Sequence, residues 1–425
     1  MIEAAVPCHK SRVTFRIPEE NYLGTFTPSC EPAAADPAAE VRRALESPIA
    51  SERLRRLAEK AKNCVIICSD HTRPVPSRHL IPAMLEEARR DNPAIDITLL
   101  IATGCHRGTT RDELVAKFGP EIVGKEKIVI HDCLDETMLQ DAGVLPSGGR
   151  LILNRLALET DLLISEGFIE PHFFAGFSGG RKSVLPGIAS RETVMANHCA
   201  EFIASPHART GILTGNPIHR DMLFAARRAK LAFIVNTVID AGKRIVRTFA
   251  GDPEQAHAAG VEFCRKQARI EVPESDIVIT TNGGYPLDMN VYQSVKGMTA
   301  AEAVCRKGGV IIMAAGCCDG HGGAGFFEAL SKAASPEEIL AAVLARPRNA
   351  TVPDQWQYQI LARFLKDFKV VMYAPECPKE LLRAMKLDAA ATPDEALAKA
   401  FARCGKNAKV AVIPEGVSVI PVKKS

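Results

Sequence analysis

Short apolar runs that alternate with helical stretches constrain the fold of this chain more than any other feature. Runs such as Cys64-Val65-Ile66-Ile67-Cys68 and residues 95–102 have the pattern of buried strands, and helical stretches such as residues 78–91 fall between most of these runs. Strands that alternate with helices predict parallel sheets whose two faces are both covered. The sequence therefore predicts an α/β fold.

The length of the chain predicts two domains, because 425 residues exceed the size at which one hydrophobic core stops growing. The segment Glu271-Val272-Pro273-Glu274-Ser275 follows a long predicted helix and precedes a new strand. We place an N-terminal α/β domain at residues 1–271 and a C-terminal α/β domain at residues 272–425. Each is expected to contain a largely parallel sheet flanked by helices, and such sheets bind ligands beyond the carboxyl ends of their strands.

Composition argues against several classes of partner. With 53 Lys and Arg against 50 Asp and Glu, the net charge of +3 gives no electrostatic case for nucleic acid or a membrane surface. No apolar run reaches the roughly 18 residues of a membrane helix, and we expect no signal peptide. The 13 cysteines include no CxxC pair and are expected to be reduced thiols packed as small apolar residues. We therefore expect a cytoplasmic protein.

Four polar, glycine-containing loops follow predicted strands. They are SDHTRP at 69–74, TGCHRG at 103–108, NGGYP at 282–286 and GCCDGHGG at 316–323. A doubly wound fold carries its functional residues in loops of this kind. Any one of them also has a purely structural explanation, because Asp and Ser cap helices and Gly forms turns. It is the combination of four that predicts a site.

The stretch from Glu170 to His198 concentrates reactive side chains, with His172, Lys182 and His198 around a glycine-rich turn at residues 176–180. Imidazole is the commonest metal ligand and a proton shuttle near neutral pH. A lysine in such a loop can clamp a phosphate or carry a covalent cofactor. The turn resembles a P-loop but has Arg181 where the second glycine should be. A single phosphate held by the loop amides and Lys182 remains an alternative.

The chain resembles the nickel-dependent lactate racemase family in six segments: SDHTRPVP, TGCHRG, EPHFFAGFSGGRKSVLPGIAS, ANH, GGYPLDMNVYQSVKGM and CCDGHGG. The likeness runs from about Asp70 to beyond His321, and so through both predicted domains. It implies a racemase or epimerase of 2-hydroxy acids, with lactate as the default substrate. It also implies a site in the cleft between the domains.

The resemblance implies a covalent cofactor. This is a nickel-pincer nucleotide, pyridinium-3-thioamide-5-thiocarboxylic acid mononucleotide, which holds nickel through sulfur, carbon and sulfur. By the same resemblance Lys182 is its tether and His198 is the fourth nickel ligand. Further contacts to the cofactor are expected from Asp70, Ser178 and Gly179. Partner enzymes are expected to synthesise the cofactor.

The resemblance also assigns the chemistry of the substrate. His106 and His172 are expected to be the acid/base pair during reversible hydride transfer between the 2-hydroxy acid and the cofactor. The expected substrate-binding residues are Arg73, Tyr292, Gln293, Lys296 and Trp356. Arginine grips a carboxylate with two hydrogen bonds, and lysine adds a point charge.

Two other interpretations of the same residues stay open at this point. One is a zinc or manganese hydrolase that uses His106, His172 and His198 as metal ligands. The other is a nucleotide-binding protein without catalytic turnover that uses the glycine-rich loop alone. Only the racemase predicts a covalent adduct of several hundred daltons. The sequence does not select one 2-hydroxy acid, and it gives no role to Cys317, Cys318 or His321.

Overall fold

The computed structural model describes residues 1–424, which form twenty strands and sixteen α-helices. In chain order the strands are β1 (Ile2–Cys8), β2 (Ser11–Ile17), β3 (Tyr22–Thr25), β4 (Asn63–Ser69), β5 (Asp96–Ala102), β6 (Lys127–Ile130), β7 (Leu139–Val144), β8 (Arg150–Asn154), β9 (Leu162–Phe168), β10 (Pro171–His172), β11 (Gly176–Phe177), β12 (Leu231–Ile239), β13 (Ile245–Gly251), β14 (Arg269–Val272), β15 (Ser275–Thr280), β16 (Cys305–Ala314), β17 (Lys369–Tyr373), β18 (Asp388–Ala390), β19 (Val410–Ile413) and β20 (Ile420–Lys423).

The helices are α1 (Pro37–Glu46), α2 (Leu54–Ala58), α3 (Ser77–Arg89), α4 (Arg111–Phe118), α5 (Pro120–Lys125), α6 (Arg155–Glu159), α7 (Arg191–Asn197), α8 (Ala200–Ala204), α9 (Pro217–Arg228), α10 (Gln255–Ala268), α11 (Val291–Val304), α12 (Ala324–Lys332), α13 (Pro336–Leu344), α14 (Gln355–Asp367), α15 (Lys379–Ala384) and α16 (Pro393–Cys404). Among residues 1–424, none of these helices has both the length and the apolar character that crossing a membrane requires.

The first sheet has the strand order β13-β12-β9-β4-β5-β6. Only β13 is antiparallel to its neighbour, and the other four pairs are parallel. Successive residues of β4 enter different cores: Ile66 shares a buried cluster with Leu80 of α3, whereas Ile67 shares one with Met222 of α9. Because both faces are buried, the strand is a continuous apolar run without alternation.

The second sheet has the order β18-β17-β16-β15-β19-β3, and all its pairs are parallel. One face is covered by the β1–β2 hairpin and α16, where Phe15 and Leu397 pack with Ile277 of β15. On the other face Val278 shares a cluster with Met298 of α11. The predicted α/β class, with two largely parallel sheets flanked by helices, is confirmed.

The first 25 residues lie with the second sheet. Strand β3 pairs with β19, and the β1–β2 hairpin packs on the same sheet. This differs from the expected grouping of residues 1–271 in one domain. The physical reason is that the hairpin buries one apolar face, formed by residues such as Val6, Phe15 and Ile17, and the second sheet offers a matching surface. A boundary near Glu271 stays a prediction.

The loops that the sequence singled out follow β4, β5, β15 and β16. Strand β4 is paired with β5, and β15 is paired with β16. The loops therefore emerge in two adjacent couples at the carboxyl ends of parallel strands, where this class of sheet binds ligands. After β9 the chain forms the short β10–β11 ladder, a 3-10 helical turn at Gly180–Ser183 and then α7. This connection carries His172, Lys182 and His198.

We expect Phe15→Ala to lower the free energy of unfolding of the part of the protein built on the second sheet by about 3–5 kcal/mol. The substitution removes a fully buried ring and leaves a cavity. Native-state hydrogen exchange of the β15 amides measures the change. Thr14→Ala, on the exposed face of the same strand, is the matched control. Equal exchange in the two variants would contradict the packing of the hairpin on this sheet.

Candidate active site

His106 and Asp70 meet because their loops follow paired strands. Nδ1 of His106 lies 2.8 Å from Oδ2 of Asp70, and the hydroxyl of Thr72 donates to Oδ1 of Asp70 at 2.7 Å. Asp70 is buried, whereas 44% of the His106 side chain is exposed. Burial opposes ionisation of Asp70, but the hydrogen bond and charge of His106 outweigh it and hold the pKa of Asp70 below its ordinary value. When the His106 ring is neutral, this contact places its proton on Nδ1 and leaves the Nε2 lone pair free.

His172 and Lys182 form a second reactive pair. Nδ1 of His172 accepts the backbone N–H groups of Ala175 at 3.2 Å and Phe174 at 3.5 Å, and its Nε2 lies 3.4 Å from Nζ of Lys182. Burial lowers the pKa of His172 well below its ordinary value, and the charge of Lys182 lowers it further. Burial lowers the pKa of Lys182 in the same way, with an added effect from Arg181. Both groups are thus driven toward their neutral forms.

His198 follows the last residue of α7 and has one committed nitrogen. Its Nδ1 lies 3.1 Å from the carbonyl oxygen of Val194, to which it donates, so the lone pair of Nε2 is free. The ring makes edge contacts with Phe174 and Trp356, each at a centroid distance of 5.1 Å. Burial, followed by the charge of Lys182, lowers the pKa of His198 to about 3. A neutral imidazole with an anchored Nδ1–H is the form in which histidine binds metals.

The glycine-rich turn is shaped by backbone conformations that favour glycine. Gly179 has φ 80° and Gly180 has φ 53°, and the backbone N–H of Gly180 donates to Oδ1 of Asn236 at 2.7 Å. A Cβ at Gly179 would lie 2.7 Å from that same amide oxygen, so only glycine fits. Ser178 is buried, and its carbonyl oxygen lies 2.9 Å from Nε2 of His257.

Two cations, Arg73 and Lys296, lie near this turn and come from different sheets of the protein. Arg73 follows β4 of the first sheet, whereas Lys296 is on α11, which packs on the second sheet. Burial, with an added effect from Arg73, lowers the pKa of Lys296 to about 8. The charges of Lys296 and Arg73 also lower the pKa of His172. The structure therefore brings together residues that are more than 200 positions apart in the chain.

Glu170 also belongs to this charged group, although no sequence motif assigned it a role. Its side chain is open to solvent, yet surrounding protein reduces its hydration and raises its pKa, against the opposing effects of Arg73 and Lys296. The signal that could have found it is its position, two residues before His172. A carboxylate among cations is a candidate functional group wherever its pKa is displaced.

Helix α11 and the start of α14 supply the remaining predicted residues. The side chain of Asn290 caps α11 by accepting the backbone N–H of Gln293 at 2.9 Å. The carbonyl oxygen of Tyr292 accepts a hydrogen bond from the side-chain amide of Gln357, in the same helix as Trp356. Burial, followed by the charge of Asp354, raises the pKa of the Tyr292 hydroxyl. These contacts fix the two helices relative to each other beside His198.

Among residues 1–424, His106, His172 and His198 are not close enough together to share one metal ion. Within the described residues 1–424, the one group of three or more His, Cys, Asp and Glu side chains close enough to share a metal ion is His9, Cys318 and Glu376.

Nδ1 of His321 accepts the backbone N–H of Gly323 at 3.0 Å, and its ring stacks on Phe327. All thirteen cysteines are free thiols, and nine of them are buried, as their apolar surroundings predicted.

Comparison with known families covers most of the chain. The profile described as the Lactate racemase N-terminal domain matches residues 8–211, and the Lactate racemase C-terminal domain matches residues 270–421. A lactate racemase from Thermoanaerobacterium thermosaccharolyticum is 51% identical over 426 residues, with 100% of both chains covered. A lactate racemase from Lactiplantibacillus plantarum is 50% identical over 422 residues, covering 99% of this chain and 100% of the relative.

Solved structures agree with this assignment. The lactate racemase apoprotein from Thermoanaerobacterium thermosaccharolyticum superposes with a TM-score of 0.96, covering 99% of this chain and 100% of that one at 51% identity. A Thermotoga maritima protein that shares 20% identity has a TM-score of 0.63 over 89% of this chain and 99% of its own, a likeness of fold alone. The chain belongs to the lactate racemase family of isomerases.

Proposed function

We propose that this enzyme interconverts the two enantiomers of lactate by reversible hydride transfer to a nickel-pincer nucleotide attached to Lys182. The observation that carries the proposal is that the hydrogen bonds of the two imidazoles favour opposite tautomers. His106 donates its Nδ1–H to Asp70 and has a free lone pair at Nε2, so it is ready to act as a base. In His172 Nδ1 accepts backbone N–H groups, so the proton of the neutral ring is on Nε2, where it can be donated in a hydrogen bond to the substrate oxygen. Two imidazoles that present an acceptor and a donor at Nε2 can serve as acid/base partners.

The donor chemistry of the residues fits the proposed cofactor. Lys182 is a partly buried amine whose pKa is lowered, and a neutral amine is the form that attacks an electrophile. His198 offers a neutral Nε2 on an anchored ring, a suitable ligand for nickel. Asp70, Ser178 and Gly179 are the proposed further contacts. When bound, the cofactor supplies a reversible acceptor for the hydride on the substrate's C2 atom.

The substrate carboxylate is held by cations in our proposal. Arg73 and Lys296 act on each other's charge, and an anion between them relieves that repulsion. Gln293, Tyr292 and Trp356 complete the proposed pocket between the two domains, and the indole of Trp356 helps to exclude water from the reacting carbon. This grip fixes the carboxylate while the hydroxyl of one enantiomer or the other is directed to a histidine.

The proton movements follow from the two imidazoles. As hydride leaves C2, Nε2 of one histidine accepts the hydroxyl proton and the product is the keto acid. When hydride returns to the opposite face of the keto acid, the keto oxygen would take its proton from Nε2 of the other histidine in its protonated form, and proton exchange with solvent would reset both rings. Asp70 acts as a positioning residue, because its carboxylate fixes the His106 tautomer and stabilises the protonated ring. For the reverse reaction the two histidines exchange roles.

The proposal extends to the surroundings of the enzyme. The cofactor requires dedicated synthesis enzymes, which are the proposed partners in loading the protein. Thirteen free thiols favour a reducing compartment such as the cytoplasm. The proposed substrate is lactate, since the relatives at 50–51% identity are named for it.

We expect Lys182→Ala to abolish both the covalent cofactor and racemisation. The protein is co-expressed with the cofactor-synthesis enzymes, and intact mass spectrometry measures the adduct. Lys296→Ala is the matched control, because it also removes a cation from the site but should keep the adduct. An adduct on Lys182→Ala would show that the tether is another residue.

We expect His106→Ala and His172→Ala each to stop net racemisation, with losses of about 10²–10⁴-fold. Each variant should still oxidise one enantiomer within a single turnover, and the two variants should choose opposite enantiomers. Acid quench followed by detection of pyruvate measures this step. The exposed His207 supplies the control variant His207→Ala, with unchanged turnover. If both variants oxidise both enantiomers, the paired-base assignment fails.

We expect kcat/KM to fall as the pH rises above about 8. Lys296 has a pKa lowered to about 8, so its charge is present below that pH and is lost above it. The loss of a charged hydrogen bond to the carboxylate is expected to cost about 10- to 100-fold. Lys296→Arg should move the decline to higher pH, because guanidinium stays protonated. A decline that persists unchanged in Lys296→Gln would assign it to another group.

A further inference from the structure

We propose that His9, Cys318 and Glu376 form a second metal site, for Zn²⁺, at the carboxyl edge of the second sheet. One ligand atom from each side chain lies within 4.8 Å of those of the other two. Imidazole nitrogen, thiolate sulfur and carboxylate oxygen are the three ligand types that zinc uses in proteins. In residues 1–424 no hydrogen bond or ion pair joins any of these three side chains to those of His106, His172, Lys182 or His198.

The three ligands come from separate elements that meet at one place. His9 is in the turn of the β1–β2 hairpin, Cys318 follows β16 and Glu376 follows β17. Strands β16 and β17 are parallel neighbours, so their following loops lie side by side where such sheets bind ligands. Cys318 and Glu376 are exposed and His9 is partly exposed, which leaves a path for an ion. Three protein ligands also leave a fourth position for water.

The backbone of His9 has a positive φ, which is uncommon for a histidine in a hairpin turn. Cys8 pairs with Ser11, which leaves a two-residue turn whose first residue, His9, has φ 53°. Glycine is preferred where such a turn requires positive φ. The conformation is held because the N–H of His9 donates to Oδ2 of Asp288 at 2.6 Å and its carbonyl accepts the N–H of Tyr285 at 2.8 Å. The imidazole is thereby directed at Glu376, with Nδ1 2.5 Å from Oε1. Residues held in such conformations cluster at functional sites.

Asp288 forms hydrogen bonds with two segments that carry proposed ligands, the hairpin turn and the loop after β16. Its Oδ2 accepts the N–H of Gly316 at 3.0 Å as well as that of His9, and its carbonyl accepts the N–H of Cys317 at 2.9 Å. The carboxylate is fully buried, and within the described residues its Oδ1 has no hydrogen-bond partner. Hydrogen-bonded carboxylates behind the ligands commonly position them in metal sites.

The proposed ion would tie the N-terminal hairpin to the start of α11. The loop that carries Cys318 packs on that start, since the N–H of Val291 donates to the carbonyl of Gly320 at 3.0 Å and the N–H of Asp319 donates to the carbonyl of Met289 at 2.8 Å. Helix α11 carries the predicted substrate residue Lys296. The role assigned to this site is therefore structural, holding the hairpin and α11 in register.

The test uses the full-length protein, Zn²⁺ and equilibrium dialysis with metal analysis. One equivalent of Zn²⁺ should bind the unaltered chain, and His9→Gly, Cys318→Ser and Glu376→Gln should each weaken that binding at least tenfold. Glycine suits φ 53°, so His9→Gly removes the ligand without disturbing the turn. Cys30→Ser removes an exposed thiol elsewhere and should keep the zinc, as should His198→Ala.

Two further measurements distinguish lost binding from lost folding. Zn²⁺ should raise the Tm of the unaltered chain in a concentration-dependent way but not that of His9→Gly, which should unfold cooperatively without metal. Co²⁺ in place of Zn²⁺ should give a thiolate charge-transfer band that is absent from Cys318→Ser. Absence of zinc binding by the unaltered chain, or full binding in both His9→Gly and Cys318→Ser, would overturn the proposal.

Discussion

The buried guanidinium of Arg181 is the interaction on which the proposed active site depends. It donates to the carbonyls of Ala175 at 2.9 Å and Gly179 at 3.1 Å, and to Nδ1 of His219 at 3.0 Å. These bonds tie the glycine-rich turn to itself and to α9. Burial lowers the pKa of Arg181 to about 9, and its charge in turn helps to lower the pKa of Lys182. One buried cation therefore shapes the loop and favours the neutral amine beside it.

The same arginine explains why the turn cannot act as a P-loop. In a P-loop, glycine precedes the lysine so that backbone amides can wrap around phosphates. Here that position is filled by a side chain that points inward and uses two of the loop's own carbonyl oxygens. Moreover, the N–H of Gly180 is already bonded to Asn236. The loop is thus organised to present the side chain of Lys182, and its backbone is largely committed to internal contacts.

Physical pattern in the sequence predicted the parts of the fold that are decided locally. The apolar runs of β4 and β5 are continuous because both faces of the first sheet are buried, and the loops after them meet because the strands pair. The placement of β3 was not predictable in this way. Residues Tyr22–Thr25 are only four long, and their pairing with β19 joins positions almost 390 residues apart. Such an edge is selected by tertiary packing and leaves no periodic signal.

Some residues of the candidate site were predictable from sequence motifs, whereas others were found only in the structure. Motifs and resemblance pointed to His106, His172, Lys182 and His198, and the structure adds how they are supported. The pairing of Asp70 with His106 joins two of the four loops that were expected to form the site, although Asp70 itself was expected to contact the cofactor. Glu170, by contrast, has no motif of its own. Burial by surrounding protein raises its pKa, and cations that are distant in the sequence, such as Arg73 and Lys296, oppose that effect. A pattern of neighbouring residues in the sequence does not reveal such contacts.

Contacts away from these cations also join the part of the chain around the first sheet to the part around the second sheet. Strand β14 pairs with β20, and Ile420 of β20 packs with Phe177 and Ile169 beneath the glycine-rich turn. Contacts between α14 and α8, such as Gln359 to the carbonyl of Ala200 at 2.8 Å, add a second link. These contacts join the part of the chain that carries Arg73 to the part that carries Lys296. In the proposed function, an anionic substrate would gain binding free energy by neutralising the repulsion between these two cations.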